Sequence, residues 1–194
     1  MNILELYKIF QQNPKICIDS RKAESNSIFF ALKGEHFDGN KFAADALKKC
    51  AFAVVDDPDV ATSDRYILVN DVLETLQELA KTHRQEFSIP IIAITGTNGK
   101  TTTKELIARV LSQGYKVYST KGNFNNHIGV PLSLLELTPE YEIAVIEMGA
   151  NKPGDIRELC EIAQPTHGII TNVGKAHLEG FGSFEKVMET KGEL

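Results

Sequence analysis

The run Ile89-Pro90-Ile91-Ile92-Ala93-Ile94 leads directly into Thr95-Gly96-Thr97-Asn98-Gly99-Lys100-Thr101-Thr102. An unbroken apolar run of this length reads as a strand buried on both faces, as in a parallel sheet sandwiched between helices. A glycine-rich turn follows, and a helix starts at a lysine and a hydroxyl. Backbone N–H groups in such a turn converge on one spot. The helix dipole adds roughly 0.3–2 kcal/mol for an anion placed there. Lys100 reaches toward the outer phosphates of a nucleotide, and the Thr101 hydroxyl toward the magnesium that accompanies them. The pattern departs from the general phosphate loop at Ile94, which stands five residues before Gly99 where glycine is usual. The alternative reading is a plain strand-to-helix turn with Gly99 as its joint.

The chain has 194 residues, enough for one large domain or two small ones with a real core. With 42% hydrophobic and 24% charged residues it falls among soluble globular proteins. A net charge of −5 without a basic tract argues against nucleic acid as a partner. Cys17, Cys50 and Cys160 are odd in number and lack CxxC spacing, which fits free thiols in a reducing cytoplasm. Charged residues interrupt the N-terminal apolar positions, so neither a signal peptide nor a membrane span is expected.

Two segments are expected, 1–87 and 88–194. In the first, helices are read at 3–11 and 41–49, and strands at 15–19, 27–32, 51–56 and 66–69. Asp71, with Glu74 three residues on, suits the cap of a further helix. Val72, Leu76, Leu79, Ala80 and His83 share one face of that helix, with His83 structural at the core margin. In the second segment, nearly all-apolar strands at 91–95, 143–147 and 168–173 and a more polar one at 116–119 alternate with helices. The helices are read at 100–113 (closed by Gly114), 128–136, 154–164 and 183–194. The class is therefore α/β, a small mixed domain followed by a parallel-sheet domain.

Ligands of open parallel sheets bind beyond the carboxyl ends of the strands. The phosphate loop, residues 123–127, Glu147, and Asn172 with His177 all fall there. Glu147 suits magnesium, directly or through water, or else caps its own turn. His177 is either a site residue or polar surface. Lys191 shares a helix face with Phe184, Val187 and Met188, so a charged amine there is costly. It either snorkels, or becomes neutral and open to reaction with carbon dioxide.

Taken together these residues resemble the Mur ligase family of peptidoglycan synthesis. The run 95–102 is similar to that family's own phosphate loop, which also lacks the early glycine. Asp19-Ser20-Arg21, Phe29-Phe30-Ala31-Leu32-Lys33-Gly34 and Asp38-Gly39-Asn40-Lys41-Phe42 resemble its UDP-binding domain. Asn26 stands where many members have glycine, and asparagine tolerates a positive φ. The runs 122–131, 146–151 and 172–183 resemble the members that add D-alanyl-D-alanine.

The resemblance implies a P-loop ATPase domain and a cytoplasmic ATP-dependent ligase. The ligase would join D-alanyl-D-alanine to UDP-N-acetylmuramoyl-tripeptide through an acyl phosphate, using ATP and Mg2+, and is expected to be a monomer. It implies ATP phosphates on Thr95, Gly96, Thr97, Asn98, Gly99, Lys100, Thr101 and Thr102. One magnesium would lie on Thr101 and Glu147, and a second on His177 and a carbamylated Lys191. Asn125 and Asn126 would lie beside the peptide substrate, and Ser20 and Arg21 near the uridine nucleotide. The family has three domains. This chain is expected to be a fragment with an incomplete second domain and no third, inactive alone. The alternatives are another Mur-type ligase, a folylpolyglutamate-type ligase, or a nucleotide-binding module without ligase chemistry.

Overall fold

The computed structural model describes residues 1–174 and 178–194. They form two compact units, Met1–His83 and Arg84–Leu194.

The first unit opens with α1 (Ile3–Gln12). Asn2 caps it in a reciprocal box: the Glu5 amide donates to Asn2, and the Glu5 carboxylate accepts from the Asn2 amide. Strands β1 (Lys15–Cys17), β2 (Ser27–Phe30), β5 (Phe52–Val55) and β6 (Tyr66–Leu68) form a wholly parallel sheet in the order β1-β2-β5-β6. All four residues of β2 are buried, as a central parallel strand requires. A short antiparallel ribbon, β3 (Lys33–Gly34) with β4 (Phe37–Asp38), projects from the end of β2. Asn40 ties it down, its amide donating to Asp38 at 3.0 Å and to Asp56, just past β5, at 2.7 Å. Asn26 adopts φ 58°, the left-handed turn that its sequence position calls for.

The helix read at 41–49 is shorter than expected. Asp38 caps a 3-10 turn over Gly39–Phe42, and only Ala43–Ala46 (α2) is α-helical. The strand read at 15–19 stops at Cys17, because Asp19 turns the chain by accepting from the Arg21 amide. Helix α3 (Val72–Gln85) starts as expected, with the Glu74 amide on the Asp71 carboxylate at 2.8 Å. Its stripe of Val72, Leu76, Leu79, Ala80 and His83 is buried, and the Tyr7 hydroxyl lies 3.0 Å from His83 Nδ1.

In the second unit β7 (Ile91–Thr95), β8 (Val117–Ser119), β9 (Ile143–Glu147) and β10 (His167–Ile170) form a parallel sheet in the order β10-β7-β9-β8. The connecting helices are α4 (Lys100–Leu111), α5 (Gly129–Leu135) and α6 (Asp155–Ala163), followed by α7 (Leu178–Phe181) and α8 (Phe184–Lys191). The α/β class with parallel sheets is as expected.

Two details differ. α4 ends at Leu111, and Gly114 has no positive φ; it lies in the turn beyond, its amide donating to the Leu111 carbonyl. On α8 the buried face runs through Val187, Thr190 and Lys191, whereas Met188 is 46% exposed. The connection out of β7 leads away to β8, while β10 joins on the opposite side. β7 therefore borders a topological switch point, and the loop leaving it stands where such sheets bind ligands. Among the described residues no helix is long and apolar enough to cross a membrane.

Candidate functional site

The turn from β7 into α4 is held from the neighbouring strand end. The Thr97 amide donates to the Asn172 carbonyl at 3.0 Å, and the Asn98 amide to Asn172 Oδ1 at 3.0 Å. The Thr171 hydroxyl and the Asn172 amide both donate to the Asn98 carbonyl. Thr97 Oγ1 exchanges hydrogen bonds with the Gly174 backbone. Gly96 sits at φ 141°, and a Cβ there would fall 2.0 Å from Thr171 Oγ1. Glycine is required here by sterics as well as by dihedral angle. Gly99, in the left-handed region, starts α4 with no side chain capping it. The first turn of the helix thus presents its N–H groups without an Asp, Asn, Ser or Thr cap. Lys100 folds back, its Nζ donating to the carbonyls of Gly96 (2.8 Å) and Thr97 (3.2 Å).

Glu147 closes β9 and is 2% exposed. Its Oε1 accepts from the Asn125 amide at 2.8 Å, while Oε2 is buried without a hydrogen-bond partner. Asn125 is positioned by its own backbone, whose carbonyl accepts from the Gly149 amide. Asn126 serves locally: its Oδ1 accepts from the amides of Ile128 and Gly129 at the start of α5. Lys100, Asn125, Asn126, Gly149, Ala150 and Asp155 border a cleft of about 180 Å³.

Lys191 ends α8 at 3% exposure. Burial and then the Lys100 charge pull its pKa down to about 8, against the opposing pull of Asp155 and Glu193. The folded chain therefore holds fewer protons on this amine than the unfolded chain between about pH 8 and 10.5. Its contribution to stability rises with pH across that window and is lost as pH falls. Glu193 anchors the same helix end to α6, accepting from the amides of Gly154 and Arg157, both at 2.9 Å. Replacing Glu193 with alanine is expected to destabilise the second unit by about 1–3 kcal/mol. Urea unfolding measures the loss, and faster hydrogen exchange at the Gly154 and Arg157 amides locates it.

The structure thus groups the loop 95–102, Asn125, Asn126, Glu147 and Lys191 at one end of the second sheet. His177 lies outside the described residues. Ser20 and Arg21 belong to the first unit, in a 3-10 turn. There Arg21 forks onto Asp19 at 2.9 and 2.8 Å and holds that carboxyl down at about 2. Sequence reasoning missed Lys104, Thr120 and the bracing role of Thr171 and Asn172. Lys104 gave one signal, a lysine one turn after Lys100 and so on the same helix face. Among the described residues no cluster of three or more His, Cys, Asp or Glu side chains could cage a metal alone. A magnesium held by one or two protein groups plus phosphates needs no such cage.

Comparison with known proteins decides the family. Residues 94–194 match the Mur ligase middle domain, and residues 15–84 match the description Mur ligase family, catalytic domain. The chain belongs to the Mur ligase family. Among its relatives, the UDP-N-acetylmuramoyl-tripeptide–D-alanyl-D-alanine ligase of Synechocystis is 49% identical over 92% of this chain and 40% of that protein. The Bacillus subtilis protein of the same name is 42% identical over 100% of this chain and 45% of its own length. Crystal structures agree. MurF from Acinetobacter baumannii superposes with a TM-score of 0.90 at 36% identity, over 99% of this chain and 45% of that one. MurF from Thermotoga maritima, solved in complex with ADP, gives 0.87 at 40%, over 94% and 43%. The chain spans less than half the length of each of these Mur ligases.

Proposed function

We propose that this Mur ligase chain carries the first-substrate and nucleotide sites of an ATP-dependent ligase. That ligase would join D-alanyl-D-alanine to UDP-N-acetylmuramoyl-tripeptide in the cytoplasm. The observation that carries the reading is the pairing of an uncapped glycine loop bearing Lys100 with a buried carboxylate, Glu147, whose Oε2 accepts no hydrogen bond and has only the Lys104 ammonium, 4.0 Å away, near it. These donors fit ATP and Mg2+. A buried carboxylate oxygen that accepts no hydrogen bond keeps its lone pairs open to a metal ion, and convergent N–H groups suit phosphate.

In this reading residues 88–194 form the ATP-binding domain and residues 1–87 the UDP-binding domain, with Ser20 and Arg21 near the uridine nucleotide. The loop amides and Lys100 would hold the phosphates, with Lys100 exchanging its two loop carbonyls for phosphate oxygens. Thr101 and Glu147 would hold the first magnesium, and His177 with carbamylated Lys191 the second. Asn125 fixes the rotamer of Glu147 and, with Asn126, borders the cleft proposed for the peptide. When bound, ATP and magnesium supply the phosphoryl group that activates the peptide carboxylate and the positive charge that offsets repulsion between anions. Joined to the remaining length its relatives possess, the chain is expected to release ADP in steady turnover only when both the UDP-linked tripeptide and the dipeptide are present, the tripeptide alone supporting at most a single round of acyl phosphate formation. Sustained ADP formation in the absence of both would favour a simple nucleotidase.

The carbamate has its own test. The neutral Lys191 amine attacks the carbon of carbon dioxide, an N–C bond forms, one C=O electron pair moves to oxygen and the nitrogen proton leaves to water. Under 13C-enriched carbon dioxide, a carbamate carbon resonance is expected that fades as pH falls through about 8 and is missing from Lys191→Ala. A spectrum identical in the two proteins refutes it.

A further inference from the structure

Lys104 lies one turn beyond Lys100 on α4 and is fully buried, at 0% exposure. Its Nζ donates to the Thr120 carbonyl at 2.6 Å and sits 3.1 Å from Glu105 Oε1 and 4.0 Å from Glu147 Oε2. Thr120 also serves Glu147, its Oγ1 accepting from the Glu147 amide at 3.0 Å. One ammonium and one threonine therefore hold the end of β9 against the end of β8. The spacing is informative. A buried pair that existed only to satisfy itself would close to about 2.8 Å. Here the ammonium bonds a backbone carbonyl and stops short of Oε2. It is close enough to compensate the carboxylate charge and too far to occupy the oxygen lone pairs.

We infer that Lys104 is a positioning residue that makes divalent-metal binding at Glu147 depend on nucleotide. Glu105 is the nearer carboxylate, but it is 64% exposed and screened by solvent. Inside the buried site Lys104 compensates Glu147, so a free divalent cation gains little by approaching Oε2 in the nucleotide-free chain. Phosphate groups at the neighbouring loop restore the negative charge, and the cation enters with them. Oε2 meanwhile stays aimed and uncommitted. The inference rests on the reading of Glu147 as a metal-binding carboxylate.

The test is Mn2+ titration of the nucleotide-free chain, by calorimetry and by the electron paramagnetic resonance signal of free Mn2+. Wild type, Lys104→Met and the double variant Lys104→Met/Glu147→Gln are compared, with circular dichroism to confirm folding. Lys104→Met is expected to bind Mn2+ at least about tenfold more tightly than wild type and to melt at a higher temperature when Mn2+ is present. The double variant is expected to lose both effects. Should the methionine variant not fold, Lys104→Gln removes the charge while keeping a donor for the Thr120 carbonyl, with the same gain expected. A folded, charge-free variant with no gain in Mn2+ affinity overturns the inference, as does a gain that survives loss of Glu147. Titration of wild type with Mg·ATP separates the two levels. If wild type binds Mg·ATP but the variants gain nothing, only this inference falls; if wild type binds none, the metal-site reading falls and takes the inference with it.

Discussion

Replacing Lys100 with alanine is expected to weaken ATP binding by about a hundredfold or more, while AMP binding changes little. The lysine stands at the first position of α4, and its Nζ covers the carbonyls of Gly96 and Thr97. In the proposed nucleotide site it would reach the outer phosphates, so the gap in affinity between ATP and AMP is the quantity that should collapse. Stability should move by less than about 1 kcal/mol, because the lysine is only half-buried and bonds its own loop. Calorimetric titration with both nucleotides checks this, and unchanged ATP affinity removes Lys100 from the phosphate site. The same variant should alter Lys191. The Lys100 charge is the second cause, after burial, of its lowered pKa. Its removal should move the midpoint for carbamate formation above pH 8 and reduce the carbamate present at neutral pH.

Gly96→Ala should be more damaging to the fold. The new Cβ would meet Thr171 Oγ1 at 2.0 Å and the Asn172 carbonyl at 3.1 Å, at a φ of 141° that L residues rarely adopt. Those two neighbours also fasten the loop through Asn98 and Thr97. Relief of the clash therefore detaches the loop from the end of β10. A loss of about 2–4 kcal/mol is expected, with ATP binding lost together with it. Gly99→Ala is the control. Gly99 also has a positive φ, 78°, but nothing lies within 4 Å of the added carbon, so only the backbone strain of about 1–2 kcal/mol applies. Thermal melts of the two variants should rank in that order. Equal effects would show that the contact with Thr171 is not what demands glycine at position 96.

The contrast between Lys100 and Lys104 shows what the sequence could convey. The strand, turn and helix from Ile91 to Leu111 are encoded contiguously, so apolar continuity and glycine spacing sufficed. The place of Glu147 at the end of β9 was legible because it ends an apolar run. Lys104 was hidden. α4 carries Thr101, Thr102, Thr103 and Glu105 around it, and among the described residues only Lys104 and Ala108 of that helix are buried. Its burial depends on Thr120 and Glu147, 16 and 43 residues away in sequence. The bracing of the loop by Thr171 and Asn172 is equally non-local. Misread boundaries have local causes. At 41–49 an alanine-rich pattern at helical spacing was overridden by the 3-10 turn that Asp38 caps. At Met188 the periodic pattern was right in angle, but the helix turns Thr190 inward beside Lys191.

This Mur ligase chain is expected to recognise a uridine-linked substrate. Calorimetric titration of the chain with UDP-N-acetylmuramoyl-tripeptide, against the same muramoyl tripeptide lacking UDP, tests it most directly. Binding that requires the UDP moiety is the predicted result. Absence of binding by a chain that circular dichroism shows to be folded, or equal binding of both compounds, would contradict it.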